Sequence, residues 1–339
     1  MSQPGRVLVW DREKGEFVIS MSLAAVKQTA LETRLDPQVA HRLRDLSVLV
    51  SLPQVSMRLI NLISEPQTSI RQLQAVVERD PALAAKVISL ANSAYYSLRS
   101  PVLTVDRAIT IIGYQELGFM ALGLGLTETF DLNSVPGEFD GEGLWIHCLA
   151  VSWLCQELIR RTGLAEPGEA MIAGLLHDLG TIILVSKFPV QFQHLLELIL
   201  AGRPGLEAEN TLKLRHELVG YELACQWKLP QIYKDAILFH HRPDKVPAGS
   251  RYITAAVALA DILAHKIGFE VKTECLEVDL GGCLKTLKLS AADLQNFIRE
   301  MLLASKEILP LWHQMLRRQD PKSGPPAKSK FSSLISGPG

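Results

Sequence analysis

Seven histidine and aspartate residues of this 339-residue chain have types and spacings that suit a divalent metal ion. The most compact signal is His177-Asp178, which follows the apolar run 170–176 and places an imidazole beside a carboxylate. Neutral imidazole nitrogen and anionic oxygen are ligands that divalent transition metals accept. The complete candidate set of metal ligands is His147, His177, Asp178, His216, His240, His241 and Asp261.

The neighbouring residues place several of these side chains on apolar helix faces. His147 follows Leu144 and precedes Val151 at intervals of three and four, which is the spacing of one helix face. Asp261 lies in the run 253–264, where Thr254 is the only other polar residue. A carboxylate buried there without a partner would be costly, and a cation is the simplest partner.

Each candidate also has a structural alternative. A single inward-facing histidine is more often a hydrogen-bonded core residue than a ligand. His240-His241 could be a polar helix end that the helix dipole favours. Asp261 could cap a neighbouring helix or pair with Arg242 or Arg251. Separate explanations are harder to sustain for the whole set, which falls on the predicted inner faces of successive helices. The residues alone leave both interpretations open.

The elements that must hold these residues are helices, because apolar residues recur at the helical period from residue 22 almost to the end. Pro37, Pro81 and Pro167 stand at predicted first helical positions, and Ser69 and Ser290 are predicted N-caps. The predicted helices span 22–33, 36–47, 53–64, 69–78, 81–93, 104–112, 115–129, 141–161, 167–176, 179–186, 189–201, 207–226, 230–240, 249–267, 290–302 and 305–318.

Four other segments interrupt the helical pattern. Residues 6–20 predict a small hairpin, and residues 277–280 alternate weakly like a strand. Proline and glycine near 131–141 predict a break between two sub-bundles. Residues 319–339, rich in Pro, Gly, Ser and Lys, predict a disordered tail. The predicted fold class is therefore all-α, with an N-terminal helical sub-bundle followed by a larger multi-helix bundle.

Composition limits the class of function. The chain is 47% hydrophobic and 21% charged, which is typical of globular proteins. Its net charge of −1 provides no global basic field, so a nucleic-acid partner is not expected. The five cysteines form no CxxC pair, which favours reduced thiols. No signal peptide or membrane span is evident, so a cytoplasmic location is expected.

Two longer motifs narrow the class of protein. These are DPALAAKVISLANSAYYS at 80–97 and GLLHDLG at 174–180. The order of the seven candidate ligands resembles the HD superfamily of metal-dependent phosphohydrolases. Together with the two motifs, it resembles the HDOD domain, the HD-related output domain of bacterial signalling proteins. The predicted organisation is an N-terminal extension at 1–41, an HDOD domain at 42–265 with parts 42–130 and 141–265, a helical extension at 266–318 and the tail at 319–339.

The resemblance implies a cofactor, a partner and two residue roles. It implies one or two divalent transition metal ions bound in the helical bundle, with Asp178 bridging them, and Fe, Mn, Zn and Ni all fit these ligands. It implies a signalling protein as partner and allows a nucleotide or cyclic dinucleotide as ligand. The family pattern also suggests that Asn92 ties its helix end to a neighbouring turn through backbone hydrogen bonds.

The chain departs from the catalytic relatives in two places. HD-GYP phosphodiesterases follow their His-Asp pair with Gly-Lys, whereas Gly180 is followed here by Thr181. They also carry Gly-Tyr-Pro after the paired histidines, whereas Arg242 and Pro243 stand here. The missing lysine would meet substrate phosphate as a point charge. We therefore expect a signalling output or adaptor protein without turnover. The alternative is a metal-dependent phosphohydrolase or cyclic-dinucleotide phosphodiesterase that uses Asp178 in catalysis.

Overall fold

The computed structural model describes residues 6–11, 16–21, 35–37, 39–43, 52–63, 65, 67–93, 96–132, 139–269, 271 and 278–316. In these residues a two-stranded hairpin precedes an extensive set of helices, so the predicted all-α class with a small hairpin is confirmed. The predicted helix 22–33 and the predicted tail 319–339 lie outside the described residues.

The hairpin pairs β1 (Arg6–Asp11) with β2 (Glu16–Met21) in antiparallel register. Arg6 stands opposite Met21 at the open end, and Asp11 stands opposite Glu16 beside the turn.

The N-terminal half begins with a helical stretch at 39–43 and continues with five longer helices. They are α1 (Gln54–Ile63), α2 (Ile70–Val77), α3 (Pro81–Ala91), α4 (Val105–Ile112) and α5 (Tyr114–Thr129). Ser69 forms a capping box with Gln72, as its predicted N-cap role requires. Asn92 accepts from the Val102 N–H at 2.7 Å and donates to the Val102 carbonyl at 2.8 Å, which confirms that it ties the end of α3 to a turn.

The C-terminal half contains ten helices with described bounds. They are α6 (Gly141–Thr162), α7 (Pro167–Leu176), α8 (Leu179–Lys187), α9 (Pro189–Leu200), α10 (Gly205–Leu212), α11 (His216–Gln226), α12 (Gln231–Phe239), α13 (Arg251–Lys266), α14 (Leu280–Leu287) and α15 (Ala291–Leu316). Helix α6 packs against α7 and α13, and α8 packs against α11. These three helix contacts and the end of α12 bring the candidate ligands together.

Three predicted boundaries are wrong. The helix predicted at 207–226 is two helices, because Lys213 adopts φ +56° and ends α10 before His216 begins α11. Residue 277 of the strand-like segment 277–280 lies outside the described residues; in the rest, Leu280 begins a helix whose cap residue Asp279 accepts a hydrogen bond from the Gly282 N–H at 3.0 Å. The helices predicted at 290–302 and 305–318 are one continuous helix, α15, since no breaker separates them.

In the part of the chain that the structure describes, one unbroken helical run is long and apolar enough to cross a membrane by length and composition. This run, Pro167–Lys187, consists of α7 and α8, and 94% of its most apolar window is buried inside the fold. Its hydropathy therefore reflects its position in the protein core.

Candidate metal centre

The seven predicted residues meet in one buried region of the C-terminal half. His147 lies on α6 and Asp261 on α13, while His177 and Asp178 form the junction of α7 and α8. His216 is the first residue of α11, and His240-His241 follow α12. No member of the set is more than 6% exposed. The structure thus brings together every residue that the sequence singled out.

Six of these residues form two groups of closely spaced ligand atoms. In the first, the His147 group, His147 Nε2 lies 3.4 Å from both His177 Nε2 and Asp261 Oδ1. In the second, the His216 group, His216 Nε2 lies 3.2 Å from His240 Nε2 and 3.1 Å from His241 Nε2. Two ligand atoms each about 2.0–2.2 Å from one ion stand about 2.8–3.6 Å apart in octahedral or tetrahedral geometry. Both groups have the spacing of a metal-binding site.

Asp178 lies between the two groups. Its Oδ2 is 3.8 Å from His177 Nε2, and its Oδ1 is 3.6 Å from His216 Nε2. The carboxylate therefore offers one oxygen toward each group. Oδ1 also accepts a hydrogen bond from Thr181 Oγ1 at 3.0 Å.

Backbone carbonyls set the orientation of three imidazoles in these groups. His147, His177 and His240 each present Nδ1 to a carbonyl oxygen; the acceptors are Phe269 at 2.7 Å, Gly174 at 2.8 Å and Ile237 at 2.8 Å. A carbonyl only accepts, so each Nδ1 carries the hydrogen and each Nε2 presents its lone pair to the centre. Such outer partners fix the tautomer and orientation of metal-binding histidines.

A carboxylate has the same role for His216. Glu209 Oε1 lies 2.7 Å from His216 Nδ1, and Glu209 Oε2 accepts from the His216 backbone N–H at 3.2 Å. Burial alone would lower the pKa of His216, but the charges of Glu209 and Glu217 outweigh it and raise this pKa to about 10. Arg215 pairs with Glu217 from the other side. None of these three outer residues is predicted from the sequence.

His265 on α13 is also absent from the predicted ligand set. Its Nε2 lies 3.6 Å from Asp261 Oδ1, and its ring centroid is 4.9 Å from that of His147. The signal was present, because residues four apart on a helix share a face and Asp261 was already a candidate.

The local electrostatics fit a cation at the centre. Burial lowers the pKa of His177, and burial together with the charge of His216 lowers the pKa of His241 to about 4, so both rings are neutral at pH 7. Burial acts to raise the pKa of Asp178, but the surrounding imidazoles hold it below its usual range. Asp178 Oδ2 is buried and accepts no hydrogen bond from the described residues, while the buried Asp261 Oδ1 faces His147 Nε2 at 3.4 Å and His265 Nε2 at 3.6 Å. A divalent cation would compensate the charge of these two buried carboxylates.

The alternative arginine partners of Asp261 lie elsewhere. Arg242 is 3.8 Å from Glu217 Oε1, and the Arg251 guanidinium stacks over the Tyr252 ring. The donor set of imidazoles and carboxylates therefore fits a divalent transition metal better than it fits a set of separate ion pairs.

The outer carboxylate allows a direct test of this arrangement. We expect Glu209→Gln to weaken metal binding about 10–100-fold, because the imidazole of His216 loses its anionic partner. Isothermal titration of the metal-free protein with Zn²⁺ measures the change. Glu207→Gln is the matched control on the same helix, since the Glu207 side chain is 63% exposed and pairs only with Arg203 at 3.6 Å. Equal affinities of the two variants would contradict the role given to Glu209.

A buried His/Asp cluster spread over several helices of an all-α bundle defines the HD type of helical domain. A family model for the HDOD domain matches residues 49–243, which is more than half of the chain. The protein belongs to the HDOD domain family.

Solved structures share the fold. An HDOD domain protein of unknown function from Geobacter sulfurreducens is 26% identical and aligns with a TM-score of 0.65 over 82% of this chain and 98% of that chain. A Marinobacter aquaeolei VT8 protein, provisionally named for signal transduction, is 24% identical with a TM-score of 0.67 over 81% of this chain and 61% of that one. A Shewanella amazonensis SB2B protein, provisionally named a phosphohydrolase, is 22% identical with a TM-score of 0.63 over 83% and 98% of the chains.

Two curated relatives carry no functional description. An uncharacterized protein of Treponema pallidum is 25% identical over 267 residues, which cover 78% of this chain and 50% of the relative. The uncharacterized protein YuxH of Bacillus subtilis is 24% identical over 125 residues, which cover 37% of this chain and 30% of YuxH. The alignments thus span half or less of these relatives.

Proposed function

We propose that this protein is a bacterial signal-transduction output or adaptor protein that binds a divalent transition metal and a signalling protein, without turning over a substrate. The observation that carries the proposal is the position of Thr181. Its side chain is buried, and its hydroxyl donates to Asp178 Oδ1 at 3.0 Å. At the position where the catalytic relatives have a lysine that contacts substrate phosphate, this chain has a neutral threonine. Its hydroxyl donates a hydrogen bond to the proposed metal ligand Asp178.

The residues proposed to hold the metal are the His147 group, the His216 group and Asp178 between them. Iron, manganese, zinc and nickel all suit a site rich in imidazole with a carboxylate. One or two ions can be held, because the two groups are complete separately and Asp178 offers an oxygen to each. Bound metal would supply a fixed positive charge that holds six helices together.

The proposed partner is a signalling protein that contacts the N-terminal helical half. The segment between α3 and α4 supports this choice, because it exposes the large apolar side chains of Leu98 and Leu103, at 39% and 79%. Exposed apolar residues of this kind are common in interfaces, although single ones also occur on ordinary surfaces. A nucleotide or cyclic dinucleotide remains the proposed class of small ligand.

The experiment that tests the proposal combines metal analysis with hydrolysis assays. We expect the purified protein to hold one or two transition metal ions per chain and to hydrolyse cyclic dinucleotides and nucleotides slowly or not at all. A positioned charge in the transition state is typically worth about 10²–10³ in rate, and Thr181 does not supply one. A protein without metal would contradict the metal site, and rapid hydrolysis would contradict the adaptor function.

The second candidate function is a metal-dependent phosphohydrolase or cyclic-dinucleotide phosphodiesterase. The observation in its favour is the position of Asp178 between two groups of ligands, which is the arrangement of two-metal hydrolases. In such an enzyme a metal pair supplies a nucleophilic water and stabilises charge on the phosphate. Rapid hydrolysis that Asp178→Ala abolishes would establish this function instead.

A further inference from the structure

His265 extends the His147 group along α13. It lies one helical turn after Asp261, and its side chain is 6% exposed. Its Nε2 is 3.6 Å from Asp261 Oδ1, the same oxygen that lies 3.4 Å from His147 Nε2. One carboxylate oxygen therefore stands between two imidazole nitrogens.

These two distances suit ligands of one ion better than a hydrogen-bonded pair. A hydrogen bond from an imidazole N–H to an oxygen is about 2.7–3.2 Å long, so 3.6 Å is too far. Two ligand atoms of one ion stand about 2.8–3.6 Å apart in octahedral or tetrahedral geometry. The His265 and His147 rings pack at a tilt of 51° with centroids 4.9 Å apart, so the two imidazoles are neighbours.

We propose that His265 is a direct ligand of the metal ion held by the His147 group. The inference rests on the metal site proposed above and deepens it. The His216 group contains three imidazoles, whereas the His147 group contains two and the carboxylate of Asp261. His265 gives the His147 group a third imidazole. Together with the Asp178 oxygen directed toward each group, the position at the His216 group has four protein ligands and the position at the His147 group then has five.

The extra ligand has a functional consequence. Structural metal sites are closed by protein ligands, whereas catalytic sites keep a position open for water or substrate. With His265 bound, the position at the His147 group has a fifth protein ligand in addition to His147, His177, Asp261 and Asp178, which leaves less room for water or substrate. The same side chain therefore favours a metal site that stabilises or signals over one that activates water.

The test is a Co²⁺ titration of the metal-free full-length protein, followed by visible absorption. The variants are His265→Ala and His265→Gln, and the matched control is His194→Ala, a histidine that is exposed on α9. We expect both His265 variants to lose at least tenfold in Co²⁺ affinity at one of the two positions and to change the ligand-field bands. Added imidazole should restore the wild-type bands of His265→Ala, because it can fill the vacated coordination position.

Each outcome decides a separate question. If the wild-type protein binds no Co²⁺, the proposed metal site itself is wrong. If the wild-type protein binds Co²⁺ and both His265 variants match it in affinity and spectrum, only the role of His265 is wrong. If the variants lose affinity but imidazole restores neither spectrum nor binding, His265 is structural and the inference is overturned. Circular dichroism identifies a variant that does not fold. If His265→Ala does not fold, the comparison of His265→Gln with the wild-type protein decides the role of His265.

Discussion

Replacing Asp178 with Asn is expected to remove most of the bound metal while leaving the helical fold intact. The amide keeps the shape of the carboxylate but carries no charge and turns one oxygen into a donor nitrogen. Both groups lose their shared anion, since Oδ2 faces His177 at 3.8 Å and Oδ1 faces His216 at 3.6 Å. We expect less than a tenth of the wild-type metal content by elemental analysis.

The same substitution should remove the stabilisation that metal gives the wild-type protein. A ligand at about 100 times its dissociation constant stabilises a folded protein by about 2.7 kcal/mol. The wild-type protein should therefore unfold at a lower temperature after chelation, whereas Asp178→Asn should show no difference between chelated and metal-supplemented samples. Asp106→Asn, at an exposed position on α4, is the control and should keep the wild-type difference. Normal metal content in Asp178→Asn would show that the carboxylate is not a ligand.

The seven candidate metal ligands could be predicted from the sequence because the patterns that identify them are local. His147 and Asp261 lie in apolar helical runs, so the period of the run indicates which face is buried. His177 and Asp178 are adjacent, so no fold is needed to bring them together. That the separate helices meet at one centre required the resemblance to a family, since periodicity gives the face of a helix but not its neighbour.

Glu209 could not be found in this way, because the decisive feature is a backbone turn. In one continuous helix, Glu209 and His216 would stand about 10.5 Å apart along the axis. The left-handed conformation of Lys213 ends α10 and turns the chain back, so that the carboxylate reaches His216 Nδ1 at 2.7 Å. A positive φ is uncommon for lysine, and nothing in the sequence marks this residue as the turn.

The two glycines near the start of helix α14 are a second feature whose structure the sequence alone does not predict. Gly281-Gly282 indicate a chain break by composition. In the structure, however, Gly282 donates its backbone N–H to the Asp279 cap, and an added Cβ there would lie 2.5 Å from Asp279 Oδ2. The two glycines that suggest a break therefore lie in the first turn of α14.

Replacing Gly180 with Ala is expected to destabilise the protein by about 3 kcal/mol or more, through overpacking between two helix backbones. An added Cβ would lie 1.8 Å from the His216 carbonyl oxygen and 2.9 Å from the Gly220 backbone nitrogen. Both are backbone atoms, so no side-chain rotation can relieve the contact. Helices α8 and α11 would have to separate by roughly 1 Å in an interior that is closely packed.

That separation should also weaken metal binding, since Gly180 follows Asp178 by two residues and contacts His216 directly. Chemical denaturation measures the stability, and zinc titration of the folded fraction measures the affinity. The control is Gly249→Ala, where an added Cβ would meet nothing within 4 Å and little change is expected. Because alanine is a better helix former than glycine by about 1 kcal/mol, an unconstrained position 180 would gain stability. An unchanged or raised stability of Gly180→Ala would therefore show that the close approach of α8 and α11 does not position Asp178 and His216.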